Sequence, residues 1–206
     1  MNDIFQKDPG TKNHLPQKEG FFDLSSYSKE IMQAIGLVEE EKILSCSKKI
    51  KETLKKSQQV IFAGNGGSHA IATHMACDYG KGLKRHFQEK IKVSSLGSNN
   101  ALSSAIANDF GYENLFSAEL EMIASSGDVL VAISSSGNSS NIINAIKKSK
   151  EMSIYTIGLS GFDGGDLKKL SDASIHIDLN NYPGVEFLHQ YCLDLMCMNL
   201  FKFKTS

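Results

Sequence analysis

The chain has 206 residues, of which 41% are hydrophobic and 22% are charged, as expected for one globular domain with a substantial core. Its 22 basic and 23 acidic residues give a formal charge of -1, so no basic excess is available to neutralise a nucleic-acid backbone. No apolar stretch approaches the roughly 20 residues that cross a bilayer, and the N-terminus lacks the apolar core of a secretory signal. We therefore expect a cytoplasmic protein that binds neither nucleic acid nor membrane, with its four cysteines as buried free thiols.

The predicted elements begin after an N-terminal arm. Residues 1–25 hold two of the three prolines and no sustained hydrophobic period, which predicts a loose arm. Apolar residues at helical spacing over 26–57 predict one or two amphipathic helices.

The rest of the chain alternates short apolar runs with amphipathic segments. The short runs predict five strands: QVIFAG, IKVSSLG, DVLVAISSSG, IYTIGLSG and ASIHIDL. Helices are predicted at about 68–80, 101–107, 115–124, 139–150, 165–170 and 185–203. This alternation favours a parallel sheet covered on both faces, in a single domain over 26–206.

Two turns of small residues follow predicted strands and have the composition of a phosphate site. The first, GNGGSH at 64–69, places glycines before a helix, where exposed backbone amides favour an anion. The second, SSSGNSS at 134–140, supplies hydroxyls that can donate to phosphate oxygens, and Ser139 can also cap the next helix. Either turn alone also fits an ordinary strand-to-helix connection, but two at the ends of parallel strands predict a ligand cleft. Neither matches a nucleotide fingerprint, so no nucleotide cofactor is expected.

Four segments within residues 57–179 carry a more specific signal: GNGGSHAIATHMACD, AIANDFGYENLFS, GDVLVAISSSGNSSNIINAIKKSKE and TIGLSGFDGGDLKKLSDASIHI. They resemble successive blocks of the sugar isomerase (SIS) domain family, and most closely its bacterial phosphoheptose isomerases. The resemblance implies a three-layer α/β/α sandwich with a five-stranded parallel sheet and extra N-terminal helices, assembled as a homotetramer. It also implies an aldose-ketose isomerase that converts sedoheptulose 7-phosphate to D-glycero-D-manno-heptose 7-phosphate through an enediolate, for lipopolysaccharide or other surface polysaccharide synthesis.

The resemblance also assigns roles to residues of this chain. The substrate-binding set that it implies is Asn65, Gly66, Ser68, Ser134, Ser135, Ser136 and Ser139. A histidine and a glutamate on the family's first sheet-packed helix correspond to His74 and Asp78. Their i, i+4 spacing places both side chains on one helical face, where they can share a metal ion or a proton path.

The C-terminal segment departs from the family, which usually has a sequence like RIQEIHIKVIH where this chain has GVEFLHQYCLD. Matching the central histidine to His189 puts Glu186 and Asp194 at the positions of a glutamine and a histidine that often bind zinc. The candidate metal ligands are therefore His74, Asp78, Glu186 and Asp194. The resemblance implies zinc as the divalent ion, while the three acids favour harder ions more than the family's usual set does.

The sequence leaves the catalytic roles open. Either Glu186 or Asp78 can act as the base beside the sugar carbonyl, and either His189 or His74 as the acid that helps return the proton. Glu186 and His189 are one helical turn apart, so they can also form a surface pair without a role. Two other functions stay open as well: isomerisation of another phosphosugar, and noncatalytic binding of a phosphosugar or a partner protein by an SIS domain.

Overall fold

In the computed structural model, which describes residues 23–84, 87 and 90–202, five parallel strands form one sheet in the order β2-β1-β3-β4-β5. The strands are β1 (Gln59–Gly64), β2 (Lys92–Ser95), β3 (Val129–Ser134), β4 (Tyr155–Ser160) and β5 (Ala173–His176). Each lies within the apolar run that predicted it. The prediction of a five-stranded parallel sheet is therefore confirmed.

The described part of the chain contains eight α-helices. They are α1 (Leu24–Gly36), α2 (Glu40–Lys55), α3 (Gly66–Cys77), α4 (Asn100–Phe110), α5 (Leu115–Ile123), α6 (Ser140–Glu151), α7 (Gly165–Leu170) and α8 (Tyr182–Lys202). A π-helical turn, Asp78–Gly82, continues α3. Of the predicted arm, residues 1–22 lie outside the described residues. Across the described ranges, none of the helices has the length and apolar character needed to span a bilayer.

The sheet is covered on both faces because its side chains alternate between two hydrophobic cores. Val60 and Phe62 of β1 belong to a core with residues of α2, α3 and α8, whereas Ile61 and Ala63 belong to a core with residues of α4 to α7. Each fully buried aliphatic or aromatic side chain contributes about 1.5–3 kcal/mol through removal from water. These two cores form the predicted three-layer sandwich.

Three cysteines are buried free thiols as predicted, at positions 46, 192 and 197. The prediction is wrong for Cys77, which is exposed. The reason is its place on α3: it follows the fully buried Met75 by two residues and therefore faces the opposite side of the helix.

The strand order creates a crevice between the ends of β1 and β3. The chain leaves β1 through α3 toward β2 on one side, and leaves β3 through α6 toward β4 on the other side. The two connections therefore diverge at the carboxyl edge of the sheet. Such a switch point is where open α/β sheets bind ligands.

Candidate active site

The connections that follow β1 and β3 enclose a cavity of about 130 Å³, here named the serine pocket. Its lining consists of Asn65, Ser68, Ile133, Ser134, Ser135, Ser136, Ser139, Tyr182 and Glu186. The structure thus brings together every substrate-binding residue predicted from the sequence except Gly66. Gly66 begins α3 beside the pocket, with a φ of 54° that suits glycine.

The serine hydroxyls in this pocket differ in their hydrogen-bond partners. The Oγ atoms of Ser134 and Ser139 lie 3.1 Å apart, and the buried Oγ of Ser135 has no hydrogen-bond partner among the described residues. Ser139 occupies the N-cap position of α6, but its side chain makes no capping bond. Because the pocket is lined by no lysine or arginine from the described residues, an anion bound there would be held by hydroxyls and by amides at the start of α3 and α6.

Asn65 is fixed by hydrogen bonds from two directions. Its side-chain amide and that of Asn141 on α6 donate to each other's Oδ1 at 2.8 and 2.9 Å. The hydroxyl of Tyr112 also donates to Asn65 Oδ1, at 2.9 Å. These bonds link the connection after β1 to the connection after β3, and they fix the side chain of Asn65 at the mouth of the crevice.

Glu186 is the only acidic or basic side chain among the described residues that line the serine pocket. Its carboxyl group lies against Gly67, where a methyl group on the backbone would overlap it. Partial burial raises the pKa of Glu186 above its ordinary value, because desolvation penalises the carboxylate. A carboxylate that is more basic than usual, beside a phosphate-sized pocket, is suited to proton transfer.

Tyr182 lines the same pocket and was missed in the sequence analysis. It begins α8 one turn before Glu186, and its ring packs on Phe162 with centroids 4.9 Å apart. The i, i+4 spacing between Tyr182 and Glu186 places both side chains on one face of a helix. The sequence did not point to Tyr182 because the helix is predicted to begin at Val185, three residues after its observed start.

His74 and Asp78 lie in a different place from the serine pocket. His74 Nε2 and Asp78 Oδ2 are 3.3 Å apart, on the partly exposed side of α3. Asp78 and Asp194 both line a larger groove of about 730 Å³ between the end of α3 and α8. Gln190 donates to Asp194 Oδ1 at 2.9 Å.

The positions of these acids follow from how α3 and α8 pack. Gly67 contacts Glu186, and eight residues farther along α3 the sulfur of Met75 accepts a weak hydrogen bond from Gln190. The helices therefore run side by side in the same direction. Since Asp194 follows Glu186 by eight residues, about 12 Å of helix rise separates them.

His189 is completely buried, with no exposed surface. Neither ring nitrogen has a hydrogen-bond partner among the described residues. Burial lowers the pKa of His189 to about 4, so the ring is neutral at pH 7. His189 does not line the serine pocket, and the structure does not place it beside the Glu186 carboxyl group as a second proton donor.

The four candidate metal ligands do not form one set in a single chain. Over the described residues, no group of three or more histidine, cysteine, aspartate or glutamate side chains is placed to hold a metal ion. His74 and Asp78 are paired, but Glu186 turns toward Gly67 near the start of α3 and lines the serine pocket.

Comparisons with known proteins agree with this fold and crevice. Residues 25–161 match the SIS domain family. The chain is 37% identical over 150 residues to a phosphoheptose isomerase of Aliarcobacter butzleri, covering 73% of this chain and 79% of the relative. It is 34% identical over 178 residues to a probable phosphoheptose isomerase of Thermoplasma acidophilum, covering 85% of this chain and 96% of the relative. The structure of the phosphoheptose isomerase GmhA from Neisseria gonorrhoeae superposes with a TM-score of 0.79 at 26% identity, covering 85% of this chain and 94% of that one.

Proposed function

Because this chain belongs to the SIS domain family and, within it, to the phosphoheptose isomerases, we propose that it converts sedoheptulose 7-phosphate to D-glycero-D-manno-heptose 7-phosphate. It is an aldose-ketose isomerase, and its product would enter the synthesis of surface polysaccharide or lipopolysaccharide. One observation carries this proposal for the site itself. Serine hydroxyls from two connections and the carboxyl group of Glu186 line a single cavity.

The serine pocket would hold the phosphate of the substrate. Ser135 is the strongest single indication, because its buried hydroxyl lacks a partner and a phosphate oxygen would supply one. The amides at the start of α3 and α6 add partial positive charge without a lysine or arginine. Anchoring this end converts proton transfer along the chain into a reaction between groups that are already positioned.

Glu186 would move the proton. Its carboxylate takes a proton from the carbon beside the carbonyl, which leaves an enediolate, and the same carboxyl group returns that proton to the neighbouring carbon. The proton of the C1 hydroxyl group moves to the C2 oxygen, which was the carbonyl oxygen of the ketose, so atoms and charge balance. The His74–Asp78 pair, whose Nε2 and Oδ2 atoms lie 3.3 Å apart outside the serine pocket, is the alternative.

Three features implied by the family remain proposals. A divalent ion would polarise the carbonyl oxygen if bound, but the side chains of one chain do not fit such a site and we assign it no step. A homotetramer would bring further residues to the exposed His74–Asp78 pair. A cytoplasmic location fits an enzyme that acts on sugar phosphates. Metal analysis and light scattering of the purified protein test the first two.

Replacing Glu186 with glutamine tests the proposal. NMR can follow the conversion of sedoheptulose 7-phosphate directly. We expect Glu186→Gln to lower kcat by about 100-fold or more, because general base catalysis contributes roughly that factor. Glu151→Gln is the matched control, since Glu151 is exposed at the end of α6 and pairs with Lys148.

If the turnover of Glu186→Gln lies within threefold of that of the unmodified enzyme, Glu186 is not the base. Asp78→Asn would then test the His74–Asp78 pair. A panel of ketose and aldose phosphates tests the choice of sugar. If the unmodified protein binds a sugar phosphate tightly and converts none, the noncatalytic alternative is correct.

A further inference from the structure

A second cavity, of about 220 Å³, lies beside the serine pocket and shares Asn65 with it. Its lining includes Asn65, His69, Gly97, Ser103, Tyr112 and Phe116. We propose that this cavity, named the hydroxyl pocket, binds hydroxyl groups of the substrate's carbon chain while the phosphate occupies the serine pocket. The inference rests on the proposed function, and it concerns the selection of the sugar rather than the proton transfer.

Ser103 gives the first indication of a ligand. Its Oγ is buried and has no hydrogen-bond partner among the described residues, although the residue lines an open cavity. The next residue, Ser104, behaves in the ordinary way and donates to the Ala101 carbonyl at 2.9 Å. A buried hydroxyl without a partner is unfavourable, and a hydroxyl group of a bound sugar would supply the missing bond.

His69 and Glu119 give the second indication. Glu119 is buried, and its Oε2 accepts a hydrogen bond from the Gly97 amide at 2.7 Å. His69 lies close to Gly97, and it lines the cavity. Its imidazole nitrogens can exchange hydrogen bonds with the hydroxyl groups of a sugar. Glu119 fixes the Gly97 backbone beside this ring and is therefore a positioning residue.

The lining selects a neutral polyhydroxyl chain over a second anion. Among the described residues, no lysine or arginine lines the hydroxyl pocket, so its side chains offer no positive charge to a second anion. Leu115 and Phe116 supply an apolar wall that suits the C–H side of a sugar carbon chain. Asn65 lines both pockets. A ligand whose phosphate lies in the serine pocket would therefore place the carbons next to the phosphate beside the hydroxyl pocket.

Binding measurements on the full chain test this inference without relying on turnover. Titration calorimetry in a Glu186→Gln background gives the Kd of sedoheptulose 7-phosphate and, separately, of inorganic phosphate. We expect Ser103→Ala and His69→Ala each to raise the Kd of the sugar phosphate by about threefold to tenfold, the effect of one lost hydrogen bond. The Kd of inorganic phosphate stays within twofold. Ser104→Ala is the matched control and changes neither value.

Glu119→Gln and Glu119→Ala test the positioning role, because glutamine keeps an acceptor for the Gly97 amide and alanine removes it. We expect Glu119→Ala to raise the Kd of the sugar phosphate, Glu119→Gln to leave it within about twofold, and the Kd of inorganic phosphate to stay unchanged in both. If Ser103→Ala and His69→Ala leave the sugar phosphate Kd unchanged, or weaken both ligands equally, the hydroxyl pocket is not a sugar site. A protein that binds the sugar phosphate by these residues yet converts none would contradict the proposed function and leave this inference supported.

Discussion

Protonation of His189 should destabilise the fold by a measurable amount. Burial lowers its pKa from 6.5 to about 4, while the Ser160 backbone opposes this shift and the charge of His176 adds to it. The folded protein therefore binds the His189 proton more weakly than the unfolded chain does. This contribution to stability is complete above pH 6.5 and is lost as the pH falls toward 4, by about 3 kcal/mol in total at ~1.4 kcal/mol per pH unit.

The comparison of pH 7 with pH 5 isolates most of this effect. Over that interval the His189 contribution amounts to about 2 kcal/mol. Urea unfolding of the unmodified protein and of His189→Leu, at one protein concentration, measures the free energy of unfolding at both pH values. Leucine is similar in size and needs no hydrogen bond, so we expect the variant to fold at pH 7 and to lose about 2 kcal/mol less on acidification.

Other titrating groups are common to both proteins and cancel in this difference. Equal losses of stability in the two proteins would contradict this prediction, because His189 would then be solvated or paired in solution. The same variant measures the predicted catalytic role of His189. We expect turnover to persist, since its ring has no exposed surface; a large loss of kcat with inorganic phosphate binding intact would restore that role.

Three further predictions concern the site and the core. Gly67→Ala would push the carboxyl group of Glu186 from its place, so we expect kcat to fall at least about tenfold while circular dichroism shows the fold intact. In a pH profile of kcat/KM, the acidic limb should lie above the ordinary glutamate value of 4.5, since burial raises the pKa of Glu186 and the base must be ionised; a limb below 4.5 would contradict this. Tyr79→Phe removes a buried hydrogen bond of 2.9 Å to the Leu193 carbonyl, so it should cost about 1 kcal/mol in urea unfolding, and an unchanged stability would show that water replaces that bond.

The fold and the serine pocket could be predicted largely from local sequence. Five short apolar runs rich in β-branched residues predicted the five strands, and the glycine and serine turns after two of them predicted the ligand crevice. The prediction works because carboxyl ends of parallel strands share one edge of a sheet, so turns distant in sequence meet there. The resemblance to the family added that the five strands share one sheet, and it added the chemistry.

The placement of side chains on α8 could not be predicted in the same way. This helix is apolar around most of its circumference, so hydrophobic periodicity does not show which side is covered. Glu186 reaches the serine pocket, His189 is enclosed in the core, and Asp194 lines a separate groove. Helical spacing gives the angle between two side chains on α8. It does not show which helix or strand packs against each of them, because that depends on residues elsewhere in the chain.

Local sequence was therefore sufficient for the strands, for the order of elements and for the two turns that line the serine pocket, because these depend on hydrophobic period and on residues with special backbone freedom. The tertiary structure was needed to show that Glu186 joins the serines, and that Ser103 and His69 line a second cavity beside them. The reason is that burial and contact between distant segments arise when helices pack on the sheet, and no local pattern records which side chains then face each other.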